Sequence, residues 1–148
     1  MPRADAGRGR VGLASFVIAL VGLAISGYLT IAHFNSSASL ACPESATINC
    51  QKVTTSHWSY LGPIPVAVLG VVFFLAMAVL CSPWAWGERR ADLPRVAGAA
   101  VGVLSALYLV WAELFRVDAI CLWCTAVHLC ALALLGAVLW TTAELRAR

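Results

Sequence analysis

The sequence predicts an all-α protein, a transmembrane four-helix bundle with one large outer loop that carries a short interfacial helix. Three observations predict it. Hydrophobic residues make up 61% of the 148-residue chain and charged residues only 11%, against about 25% charged in an ordinary soluble domain. The apolar residues gather in four blocks, each close to the roughly 20 residues that a helix needs to cross about 30 Å of hydrocarbon. The remaining charges fall between the blocks with a clear bias of sign and side. One small core has no room for this much apolar surface, which excludes a water-soluble enzyme, a disordered tail and a secreted disulfide-knot scaffold. A net charge of +3 with scattered basic residues argues against nucleic-acid binding. Residues 1–148 read as a single membrane domain.

The first block, Val11–Ala32, is uncharged. It exceeds the 7–15 apolar residues of a signal-peptide core, so it reads as a retained span, although Ser39-Leu40-Ala41 before Cys42 makes a passable cleavage site. The second, Ile64–Pro83, is also uncharged and is entered through Pro63 and Pro65. The third, Val96–Leu114, holds one acid, Glu113, near its end, and the fourth, Ala119–Thr142, holds none. Glycines inside the blocks, Gly22 and Gly102 among them, fit helices that approach closely in lipid.

Basic residues set the orientation. Of the ten Lys and Arg residues, all but Lys52 and Arg116 lie before the first span, between the second and third, or after the fourth. By the positive-inside rule both termini are cytoplasmic, and the loop 33–63 and the link Phe115–Asp118 face outward. The loop opens with the small polar run Asn35–Ser39, which has little to pack and reads as mobile. Its later part, Thr54–Tyr60, reads as a short half-buried helix at the interface, anchored by Trp58 and Tyr60.

This orientation makes the cysteines informative. Cys42 and Cys50 form a C-x7-C in the outer loop, and Cys121-Leu122-Trp123-Cys124 forms a C-x-x-C at the outer end of the fourth span. Asp118 reads as the N-cap of that helix, with both cysteines in its first two turns. Free N–H groups and a partial positive charge at a helix N-terminus favour thiolate, the species that attacks a disulfide. Haem attachment needs a histidine after the second cysteine, but Thr125 stands there. A zinc site wants pairs spaced more closely than Cys42 and Cys50, so no metal site is assigned. A structural disulfide accounts for the loop pair alone, whereas thiol–disulfide exchange accounts for all four cysteines. Cys81 and Cys130 read as small buried hydrophobes.

His128 lies one helical turn beyond Cys124 in an otherwise apolar span. Two roles fit it: a hydrogen-bonding or proton-donating group for a ligand, or a neutral histidine bonded to a neighbouring helix. Glu113 reads as an interface residue paired with Arg116, and His33 and His57 as solvated loop residues. Trp111, Trp123 and Trp140 fit interfacial belts or ring packing, with Trp111 and Trp123 also candidates for lining a ligand site.

The order of one span, a C-x7-C loop, a hydroxyl-rich stretch ending at Ser56, three more spans and a C-x-x-C opening the last resembles the vitamin K epoxide reductase family, particularly its bacterial members. Cys50-Gln51-Lys52-Val53-Thr54-Thr55-Ser56 and the entry Ile64-Pro65-Val66-Ala67-Val68-Leu69-Gly70 carry the likeness, which spans about residues 11–142. The resemblance implies a catalyst of disulfide formation in the bacterial cytoplasmic membrane, with a quinone (menaquinone, ubiquinone or vitamin K type) as electron acceptor. It implies that Cys42 exchanges with an exported thioredoxin-fold protein, that Cys50 passes the oxidation state on through a mixed disulfide with Cys121, and that Cys124 faces the quinone ring beside Ser56. His128 stands where vertebrate members carry a tyrosine near the quinone. Many bacterial members carry a fused thioredoxin-like domain; this sequence ends soon after the last span, so a separate partner is expected. Two other expectations stand beside this one: a quinone-epoxide reductase of the same chemistry, and a non-catalytic membrane protein with structural or metal-binding cysteines.

Overall fold

A computed structural model describes residues 2–35 and 40–146. Most of the run read as mobile, 36–39, lies outside the described residues. Helix α1 spans Pro2–Phe34, α2 Cys50–Thr54, α3 Val66–Leu80, α4 Asp92–Ala112 and α5 Leu122–Arg146. The chain is an all-α membrane bundle. Three of the helices are long and apolar enough to cross a membrane, in the stretches Gly9–Phe34, Arg89–Val117 and Leu122–Ala143, and α3 is apolar but shorter.

The short α3 departs from the expected block of 64–83. Pro65 sits in extended backbone, φ −62° and ψ 135°, so helix starts only at Val66. Before it, Tyr60–Leu61 (β1) pairs antiparallel with Ile64–Pro65 (β2) around Gly62, whose φ of +64° suits glycine. At the other end Cys81 and Ser82 turn the chain ahead of Pro83. The helical part of the loop also differs from expectation. It is α2, capped by Asn49, whose side chain accepts the Lys52 N–H at 2.8 Å, followed by a single 3₁₀ turn at His57–Ser59.

Helix α1 packs along both α3 and α5, α5 packs on α4, and α3 meets α4 to close the ring. Small residues permit the approach. A Cβ at Gly22 would run into the Phe74 ring, and one at Gly102 into the Phe73 ring. Phe74, Met77, Ala99, Leu134 and Val138 fill the core, with buried Cys81 and partly buried Cys130 packed among them as small hydrophobes.

One end of the bundle is closed by Arg95, whose side chain is fully buried. Its Nε donates to Leu80 O at 2.9 Å, one Nη to Ala85 O at 2.8 Å, and the other pairs with Asp92 at 2.7 Å. The guanidinium lies 3.8 Å from the centre of the Trp86 ring, and Trp86 Nε1 donates to Cys81 O at 3.1 Å. Tryptophan and arginine thus tie the α3–α4 connection into the helices. The opposite end carries the loop and both cysteine pairs.

Candidate active site

The loop pair is a disulfide. Cys42 and Cys50 are bonded, with their Cα atoms 6.2 Å apart, while Cys121 and Cys124 are free thiols. The loop is fastened to the C-x-x-C by main-chain pairing. Ile48 bridges Ile120 in parallel, with Asn49 N donating to Ile120 O at 3.0 Å and Ile120 N to Thr47 O at 2.8 Å. This pairing places Cys50 and Cys121, both fully buried, in one cluster with Val53, Val117 and Ala119, with Cys42, Cys124, Trp58 and Trp123 packed against it. Cys42 stays partly open to the surface. Trp123 fixes the incoming chain by donating Nε1 to Ala41 O at 3.0 Å and meeting the Tyr28 ring edge-on.

The helix start differs from the expected one. Asp118 adopts the left-handed conformation, φ 54° and ψ 46°, at the end of a π-helical turn, Glu113–Val117. Helix α5 begins only at Leu122, too late for Asp118 to cap it. Cys121 itself takes that place. Its sulfur accepts the Cys124 N–H at 3.2 Å, and its carbonyl accepts from Thr125 N and Oγ1, each at 2.9 Å. A sulfur that accepts a backbone N–H at a helix N-terminus is in surroundings that favour thiolate.

Glu113 also departs from its expected role. It is buried and does not pair with Arg116; its Oε2 accepts the Cys121 N–H at 3.3 Å. The Arg116 guanidinium stands over the rings of Trp58 and Trp111, at 5.4 and 5.2 Å from their centres. His33 is not a free loop residue, since its Nε2 shares a 2.8 Å hydrogen bond with the Tyr60 hydroxyl.

Between the helices and beneath the loop lies a cavity of about 590 Å³, within the range that small organic ligands occupy. Its wall is mainly apolar, with Leu29, Phe73, Phe74 and Val127 among the contributors, and Trp58 and Tyr108 give it aromatic faces. Cys124, Ser56 and His128 all reach it, so three of the residues singled out in the sequence meet at one space. Ser56 Oγ donates to Val53 O at 2.8 Å. Trp111 and Trp123 stand behind the wall: Trp111 stacks on Tyr108 and meets Trp58 edge-on, and Trp123 serves the loop as described.

Two polar atoms at this cavity are buried without a hydrogen-bond partner among the described residues, Ser26 Oγ and His128 Nδ1. Ser26 escapes a reading of the sequence, because a hydroxyl in a span ordinarily bonds back to the turn before it. Ser15, Thr30, Thr141 and Thr142 do so here. Among the described residues, no group of three or more His, Cys, Asp or Glu side chains converges as metal ligands would.

The model of the vitamin K epoxide reductase family matches residues 13–139. The chain belongs to that family. It is a membrane oxidoreductase of the quinone-linked thiol or epoxide reductase kind, and the match runs from within α1 to near the end of α5, taking in both cysteine pairs. No individually curated protein matches the chain.

Proposed function

We propose that this member of the vitamin K epoxide reductase family oxidises the dithiol of a separate exported protein of thioredoxin fold and passes the two electrons to a quinone in the membrane, so supporting disulfide bond formation. Cys42, the more accessible partner of the loop disulfide, receives the attack of the protein thiolate. Cys50, released as a thiol, exchanges with Cys121 inside the shared cluster. Cys124 then meets the quinone, of menaquinone, ubiquinone or vitamin K type, in the cavity.

The observation that carries this reading is the cavity itself: an apolar space reached by Cys124 in which two buried polar atoms lack partners. Native proteins rarely leave such groups unpaired, and a ligand is one of the accepted reasons. The two carbonyl oxygens of a quinone are acceptors; the Ser26 hydroxyl can donate to one, and His128 Nδ1, in the tautomer that carries its proton, to the other. Ser56 and Trp58 would bound the ring from the loop side.

The cysteine end would face outward from the bacterial cytoplasmic membrane, with both chain termini cytoplasmic. In support, the beginnings of α1 and α4 and the ends of α3 and α5 gather at the arginine end, where the sequence concentrates Lys and Arg. An aqueous protein donor then meets Cys42, while a lipid-soluble acceptor reaches the cavity from the bilayer.

The test is quinone reduction by purified protein in detergent, with dithiothreitol or an exported thioredoxin-fold protein as donor. Cys121→Ser and Cys124→Ser should each abolish turnover with both donors. Cys42→Ser should lose the protein donor and retain dithiothreitol, and in Cys50→Ser the free Cys42 thiolate should attack the protein donor supplied in its disulfide form and accumulate as a mixed disulfide with it, releasing the donor's other thiol. Normal turnover in both C-x-x-C variants would refute the reading. Supplying the quinone epoxide in place of the quinone separates the two oxidoreductase activities of the family.

A further inference from the structure

Two thiols that close to a disulfide release two protons along with two electrons, and a site with mainly apolar walls needs a group to carry them. Glu113 is the one buried acidic side chain among the described residues. Buried carboxylates are ordinarily paired with a cation, yet no salt bridge to Glu113 forms among the described residues. Its neighbour Arg116 is drawn instead over the Trp58 and Trp111 rings. The carboxylate is turned to the C-x-x-C: Oε2 accepts the Cys121 N–H, and the Glu113 carbonyl accepts the Ala119 N–H at 3.2 Å. The π-helical turn and the left-handed Asp118 fold the chain back so that these contacts form, and such turns recur at functional sites. Glu113 also shares the cavity wall with Cys124 and His128.

We infer that Glu113 is the proton-transfer residue of the C-x-x-C, taking the Cys121 proton as the disulfide closes and yielding it to the quinone being reduced. The inference rests on the quinone reading above. In the balanced step the S–H bonds of Cys121 and Cys124 break, the Cys121–Cys124 bond forms, and the electron pair reduces the quinone to the hydroquinone. One proton reaches a quinone oxygen from Cys124, and the other reaches the second oxygen from Cys121 by way of Glu113. Glu113 ends the cycle in the state in which it began.

The ionisable groups around this carboxyl are Cys121 just ahead of α5, Cys124 and His128 on it, and Arg116 from its own turn. From the loop side comes Lys52, whose ammonium donates to Asp118 O at 3.4 Å. Across the cavity are the hydrogen-bonded His33 and Tyr60, and α4 contributes Tyr108. His128 shares the wall with Glu113 and lies one turn from Cys124, so the experiment is run in parallel in His128→Ala.

Glu113→Gln is the decisive variant, since it keeps an oxygen for the Cys121 N–H and loses the exchangeable proton. With dithiothreitol and a short-chain quinone, kcat should fall about 100-fold, its pH profile should lose one limb, and Glu113→Asp should recover part of the rate. In His128→Ala that limb should persist. A second readout needs no quinone: the pH dependence of Cys121 alkylation, resolved by mass spectrometry. It should show two coupled steps in Cys124→Ser and a single step once Glu113→Gln is added to that variant. Near-normal turnover and an unchanged pH profile in Glu113→Gln would overturn the inference, as would a failing Glu113→Ala beside a normal Glu113→Gln, which marks a purely structural hydrogen bond. If the parent protein does not reduce quinone at all, the functional reading fails, and the alkylation profiles still decide whether Glu113 governs the Cys121 proton.

Discussion

The two ends of the bundle are built from the same kinds of residue and differ in how completely those residues satisfy one another. At the arginine end, the guanidinium of Arg95 is shared among Asp92, two carbonyl oxygens and the Trp86 face, and Trp86 reaches on to Cys81 O. At the cysteine end, Arg116 lies over aromatic faces, Glu113 is buried without a cation among the described residues, and Ser26 and His128 each hold an unused polar atom. A buried polar network with every member satisfied rigidifies a fold, whereas a buried group left unpaired calls for a functional or structural reason. The difference fits the proposed function, with stability at one end and chemistry at the other.

The largest effect that tests this contrast is at Cys124. Cys124→Ser should lower quinone reduction at least 1,000-fold while leaving thermal unfolding in detergent within about 1 kcal/mol of the parent, because a serine nearly conserves the volume of a side chain that is only partly buried. A large loss of stability in this variant would show that the cysteine end also holds the fold together.

Arg95→Met inverts the pattern. It strands Asp92 and two main-chain acceptors while filling much of the same volume, so a loss of about 3–5 kcal/mol is expected. The folded fraction should turn over quinone at the parental rate. Denaturation monitored alongside specific activity distinguishes the outcomes, and a catalytic defect without a stability defect would break the division between the two ends.

How far the sequence discloses this arrangement follows the same line. Four apolar blocks, the scarcity of charge and the two cysteine pairs are local features, and they lead directly to the bundle. The nearness of Cys124 and Ser56, by contrast, is what the family resemblance implies, and His128, for which two readings stand, is brought beside them by the cavity. The helix start at Cys121 and the burial of Glu113 are not local. Asp118 is by type a better cap than cysteine, but pairing of Ile48 with Ile120 and the π-helical turn hold residues 118–120 out of helical geometry. Tertiary closure overrides capping preference there. Likewise Pro65 shortens α3 where composition alone suggests a longer span. Ser26 is invisible for another reason: in sequence it looks like Ser15, and only the back-bond that Ser15 makes and Ser26 does not separates them.

That pair of serines gives the finest test of the comparison. Ser15 Oγ donates to Val11 O at 2.9 Å toward the arginine end, so Ser15→Ala removes an ordinary back-bond, worth about 1 kcal/mol or less, and should leave the KM for quinone unchanged. Ser26 Oγ is as deeply buried but has no partner. Ser26→Ala therefore removes a desolvated hydroxyl with nothing lost in exchange, and the ligand-free protein should unfold at the same temperature or slightly higher. Its cost should appear only with substrate, as a rise of about tenfold in KM at near-parental kcat, the size of one neutral hydrogen bond in a dry site. Opposite signs for stability and affinity in one substitution are the signature of a group kept for its ligand. A Ser26→Ala protein that is destabilised and binds quinone normally would instead place Ser26 with Ser15, as part of the frame.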